Sequence, residues 1–279
     1  MQTQTPVPVF RNNSFGVMDW RVVVAISLAF WVPIIFPAGH MFVFNKVWPK
    51  DAVNAKQCTC SCWDTVYKGP YEFGTDSKFK HVYFNVDRTT LKMWIITVIG
   101  VLFLYETFKY VFLIVLYKRL RWTMGVLFLI SLHSHYYSWW AYWNFWNDNF
   151  YSMWYHQILF SLTELISSAL VLSYMDTKRQ VEPVPMLIIS TIAIFHAFWS
   201  GLDQFVLNIL KRRGRLHQVL RDLALMTTDL FHVILSFHEL GELATYKGVS
   251  LLAILMQRSS LYAVLLVFTC MYLLVRLLP

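Results

Sequence analysis

"LKMWIITVIGVLFLYETFKYVFLIVLY" runs from Leu91 to Tyr117, and its reading decides the fold. Apolar residues fall on every face of any helix drawn through it, with no alternation of apolar and polar positions. Its length exceeds the roughly 20 residues that carry a helix across a hydrocarbon core. A barrel strand would be about ten residues long and would alternate strictly. In lipid only helices and closed barrels satisfy their own backbone, so this stretch reads as a transmembrane helix. Glu106 and Lys109, its charges beyond the first turn, stand three apart and pair on one face.

Outward from this stretch the chain repeats the pattern. Of 279 residues, 57% are hydrophobic, 18% aromatic and only 14% charged, against about 25% charged in soluble domains. Apolar segments of spanning length also occur at 20–44, 122–145, 151–175, 185–210, 216–240 and 250–278. The predicted fold class is all-α: a polytopic transmembrane helical bundle of about seven spans. It forms one membrane domain over 1–279, with an extramembrane loop at 45–90. The segment at 216–240 is the weakest, because Arg221, Asp222, Asp229, His232, His238 and Glu239 lie in it. Without it the count is six. Pro183 and Pro185 mark the start of the fifth segment, where a missing N–H costs nothing.

Basic residues set the expected orientation. Fourteen fall on the side of loop 45–90 and of the run Lys211, Arg212, Arg213 and Arg215, against eight on the other. The positive-inside rule therefore puts the N-terminus outside or in a lumen, in the plasma membrane or an endomembrane. "YKRLRW" (117–122) opposes this, being a cytoplasmic signal on the minority side. The net charge of +8 is scattered over short loops, so lipid headgroups rather than nucleic acid are its expected partner.

A second stretch, "SLHSHYYSWWAYWNFWNDNFYSMWYHQ" (131–157), has twelve aromatics among the twenty residues from Tyr136 to Tyr155. They surround Asn144, Asn147, Asp148 and Asn149, as an interfacial belt surrounds a turn. His133 and His156 flank this belt. His133 shares a helical face with Tyr137 and is expected to point inward, with His135 about 200° away.

Ionisable groups at membrane depth are costly and mark function by default. Three successive segments each carry such a stripe. His156, Thr163 and Ser167 align in the fourth, with Glu164 at the edge. His196, Ser200 and Asp203 align in the fifth. Asp222, Asp229, His232 and Glu239 fall within about 100° of one another in the sixth. The pore candidates are His133, His156, Glu164, His196, Asp203, Asp229, His232 and Glu239. Interhelical hydrogen bonding alone is the competing account of such residues.

This pattern suits a channel or transporter-like protein, or a subunit of one, that passes protons or small cations along a His/Asp/Glu-lined seam. A membrane-embedded oxidoreductase holding a metal ion or a haem between His133, His156, His196 and His232 is an alternative. A non-catalytic receptor-like or accessory subunit, working with further copies or partner membrane subunits, is another. The third segment is not followed by a DRY-like triplet and the last carries no NPxxY, which disfavours a receptor. No GxSxG, HExxH or phosphate-binding loop is present, so the reading leans away from an enzyme. Cys58, Cys60 and Cys62 form CxCxC in the first loop. They suit a disulfide, lipid attachment or a soft metal ion. "YETFK" (105–109) resembles the YExxK end of the first helix of Ctr-type copper transporters over those five residues. The MxxxM and GxxxG patterns of that family are absent, so the resemblance assigns no residue a role.

Overall fold

The computed structural model describes residues 19–47, 88–148, 154–201, 205–214 and 216–277. All the regular structure among them is helical. Helix α1 covers Trp20–Val47, α2 Arg88–Leu116, α3 Trp122–Asp148, α4 Trp154–Tyr174 and α5 Pro183–His196. Two π-helical turns, Ala197–Gly201 and Val206–Leu210, follow α5. Helix α6 covers Leu216–Lys247, α7 Leu251–Leu255 and α8 Arg258–Leu277.

Local chemistry fixes the helix ends. Glu182 is extended, and Pro183 opens α5 at its first turn, as the sequence predicts. Gly248 adopts φ 65° just past α6. There its N–H bonds the Thr245 carbonyl and the Val249 N–H bonds that of Ala244, a glycine-dependent C-terminal closure. Ser250 caps α7, its side chain accepting from the Ala253 N–H.

Among the described residues, four helices are long and apolar enough to cross a membrane, through Trp20–Gly39, Trp94–Leu116, Gln157–Tyr174 and Arg258–Arg276. Large apolar side chains such as Ile99, Leu102, Phe103, Leu265 and Leu266 lie exposed on them. This outer surface suits lipid rather than water. The expected count of about seven is thus met by four on length and hydropathy. The reasons are physical. Ser131, His133, Ser134, His135 and Ser138 dilute α3, charged residues dilute α6, and α5 is apolar only from Pro183 to Trp199.

Side-chain contacts show how the helices run. At one end, which we call the capped end, the Tyr117 hydroxyl donates to Asp19 Oδ2 at 2.6 Å, joining the start of α1 to the end of α2. The α2–α3 and α4–α5 turns meet there through an isolated bridge between Leu120 and Asp176. Arg119 also pairs with Asp176 at 3.5 Å, and Arg121 with Glu239 of α6 at 3.6 Å. At the opposite end Gln157 of α4 donates to Ser138 of α3 at 3.2 Å, and Asn208 to Asp222 of α6 at 2.6 Å. Successive long helices therefore alternate in direction. The main core lies between them, built on Met124, Leu127, Val171, Tyr174, Met186, Ile189 and Leu240. A second cluster of Ile192, Phe195 and Met271 joins α5 to α8.

Candidate functional site

Helix α6 is apolar outward and polar inward. Asp222, Asp229, His232, Ser236 and Glu239 share one face, by the 3.6-residue period. All but Asp229 are buried, and Asp229 is nearly so. Facing them are α3, α4 and α5.

The densest point of this seam joins three helices. Glu164 of α4, His196 of α5 and Asp229 of α6 offer ligand-type atoms within 4.8 Å of one another. Both carboxylates approach the same ring nitrogen: His196 Nδ1 lies 3.6 Å from Asp229 Oδ1 and 3.8 Å from Glu164 Oε2. The other ring nitrogen, Nε2, is 2.8 Å from Thr163 Oγ1. The Thr163 hydroxyl in turn donates to the Leu159 carbonyl one turn back, at 2.8 Å. Having spent its proton there, Oγ1 accepts from Nε2–H, which turns Nδ1 towards the carboxylates. The Phe160 ring, 4.8 Å between centroids, lies against the imidazole. Glu164 Oε1 is buried with no hydrogen-bond partner among the described residues.

Away from this cluster the seam continues in both directions along α6. His232 Nδ1 bonds the Thr228 carbonyl at 2.9 Å and Nε2 meets Ser131 Oγ of α3 at 3.1 Å. His135 Nε2 meets Ser168 Oγ of α4 at 2.7 Å. Near the capped end Glu239 accepts from the Thr123 hydroxyl and pairs with Arg121. Near the other end Asp222 binds both Asn208 and Arg221 Nε, each at 2.6 Å.

The sequence-predicted residues divide accordingly. Glu164, His196 and Asp229 come together, and His232 and Glu239 lie on the same seam without joining them. His133 does not: it is exposed on the outer surface, and His135 is the inward member. The inner face of α3 is set by Met124, Leu127, Phe128 and Ser131. His135 continues that row at a four-residue step, and His133 lies about 200° from Ser131. Of the four histidines named for a metal ion or haem, His133 faces away and both nitrogens of His232 are engaged within the bundle. His156 lies in the first turn of α4 with its side chain outside the described residues. Asp203, Cys58, Cys60, Cys62 and the 45–90 loop body also lie outside them. The predicted His196–Ser200–Asp203 stripe assumes an unbroken α-helix, and the π-turn begins at Ala197.

Ser131, Ser168, Thr123 and Arg121 carry contacts that the sequence reading did not single out. The serines were visible as a signal, because Ser131 stands four before His135, and Ser168 four after Glu164.

The fold is thus an all-helical bundle with candidate membrane-spanning helices and a buried His/carboxylate cluster. The chain matches a family of unknown function (DUF8801) over residues 22–278 and belongs to it. No curated protein and no solved structure matches it.

Proposed function

We propose that the chain passes protons or small cations through the membrane along the α6 seam, as a channel or transporter-like protein or as a subunit of one. The reading rests on one observation, the row of polar groups on one face of α6, Asp222, Asp229, His232, Ser236 and Glu239, turned towards α3, α4 and α5. Seventeen residues separate Asp222 from Glu239, about 26 Å at 1.5 Å per residue. A hydrocarbon core is about 30 Å thick, so the line accounts for most of a crossing. Histidine and carboxylate neighbours at such depth pass a proton by successive transfer.

On this reading the seven long helical segments all cross the bilayer, α3 and α6 turning their polar faces to their neighbours and their apolar faces, such as Leu129 and Ile234, outward. The chain then enters with its N-terminus outside and leaves with its C-terminus inside. The opposing signal in "YKRLRW" is weakened, since Arg119 and Arg121 are matched by Asp176 and Glu239. Flux tests the proposal. Full-length protein in liposomes loaded with a pH-sensitive dye should dissipate an imposed gradient, and Asp229→Asn should slow it at least about tenfold. Equal rates for the parent, the variant and empty liposomes would reject conduction.

A further inference from the structure

We propose that Glu164, His196 and Asp229 hold a divalent transition-metal ion of the zinc class. The inference does not depend on conduction, because binding is read at equilibrium and without a gradient.

Charge is the first argument. With Nε2–H committed to Thr163, a neutral imidazole points the Nδ1 lone pair at two buried carboxylates. Three electron-rich groups facing one another inside a bundle repel, so the cluster needs positive charge at its centre, which protons or a metal ion supply. One proton on Nδ1 leaves a net negative charge between the helices. A divalent ion, with two carboxylates and a neutral imidazole, leaves none, and buried charge is tolerated only when matched.

Donor chemistry and geometry agree. An imidazole nitrogen beside carboxylate oxygens suits zinc, manganese, iron or cobalt better than calcium or magnesium, which favour all-oxygen shells. Bonds of about 2.0–2.1 Å in a tetrahedral site set donor–donor edges near 3.3 Å. The observed edges at Nδ1, 3.6 and 3.8 Å, exceed this by a few tenths of an ångström, and with all three donors within 4.8 Å of one another rotation of the two carboxylates brings them onto one ion. Three protein ligands leave a fourth position open. Glu164 Oε1, buried and unpartnered among the described residues, is a further independent sign that this carboxylate is made for a ligand. Thr163 plays the supporting part usual at such sites, fixing the histidine tautomer through its remote nitrogen.

The test uses full-length protein in nanodiscs, stripped with chelator, with Cys58, Cys60 and Cys62 replaced by serine so that no thiol competes. Co2+ is the probe. We expect one equivalent bound, with weak visible d–d bands and no thiolate charge-transfer band. Glu164→Gln and Asp229→Asn keep side-chain shape, and each should weaken binding at least about 100-fold, beyond the roughly 10–100-fold of losing a supporting hydrogen bond. His133→Gln, on the outer surface, should bind as the parent does. Failure of the stripped, helical, monodisperse parent to bind Co2+ would overturn the site, as would binding untouched by both carboxamide variants. If a variant loses its helical circular dichroism, the parent decides: a melting midpoint raised by Co2+ supports the site, and an unmoved one overturns it.

Discussion

Arg121 Nε stands 3.6 Å from Glu239 Oε2, joining the turn before α3 to the last third of α6. Arg121 also donates to the carbonyls of Tyr174 at 2.5 Å and Arg179 at 2.8 Å. Both partners of the pair are largely buried. Glu239→Gln should therefore lower the thermal midpoint in detergent. Removing one member of a buried pair costs about 3–5 kcal/mol. Here the two carbonyls still hold the guanidinium, so the expected loss is smaller, about 1–3 kcal/mol. A midpoint equal to that of the parent would show that the pair carries no stability.

The two histidines of α3 should behave oppositely. His133→Leu alters an outward position and should change stability by no more than about 0.5 kcal/mol. His135→Leu strips Ser168 of its partner at the α3–α4 contact and should cost about 1–3 kcal/mol. Chemical denaturation of both variants measures the difference. Equal losses would mean that α3 is turned differently about its axis, with His133 and His135 equally covered.

Thr163→Val removes the acceptor that holds His196 Nε2–H while keeping side-chain bulk. Co2+ affinity should fall about 10–100-fold, with the helical signal intact. An unchanged affinity would show that Phe160 and the surrounding packing suffice to orient the ring.

At the capped end the Tyr117 hydroxyl holds the Asp19 carboxyl below its ordinary value of 3.8, with further help from the Arg21 backbone N–H. The same hydrogen bond pushes the Tyr117 hydroxyl above its ordinary value of 10.0. A lowered carboxylate contributes stability that is present above pH 3.8 and is lost as pH falls through the folded value. A raised phenol contributes stability that is present below pH 10.0 and is lost as pH rises through its folded value. Tyr117→Phe should therefore lower the melting midpoint slightly and equally from pH 5 to 9, with the gap closing as the pH falls below 3.8 and through the folded value of Asp19. Both groups are exposed, so the gap is small. A gap that does not narrow at all as the pH falls below 3.8 would assign it to ring packing.

Much of the helix layout was legible in the chain. The run from Leu91 to Tyr117 could be nothing but a helix, and α2 covers Arg88–Leu116. The segments read at 122–145 and 216–240 likewise start where α3 and α6 start. Hydrophobicity alone finds such limits, because loops carry the turn-forming and charged residues. The last segment was read too long: the short helix Leu251–Leu255 and a turn precede α8. Ser260 Oγ reaches back to the Ile254 carbonyl at 2.9 Å across that break, a contact no hydropathy profile reports.

The site was legible in its parts and not in its assembly. Periodicity placed Asp229 and His232 on one face of α6. It did not say that Asp229, rather than His232, would meet His196, because that depends on how α5 and α6 are offset along their axes. His133 was misplaced because a face shared with Tyr137 says nothing about which face the bundle covers. Small side chains decide that: Ser131 and Ser134 are buried in α3, where they let α4 and α6 come close.

The π-turns beyond His196 hold one more consequence. Each accommodates a residue that an α-helical ladder would not, without breaking the chain of backbone bonds. Such a surplus residue is a store of rotation. Passing one π-turn back along α5, past His196, would swivel the imidazole by about 100° around the helix axis. That swing would carry Nδ1 away from both carboxylates, and would turn the adjoining core residue Phe195 with it. The hand that holds the cluster together is thus mounted on a bearing.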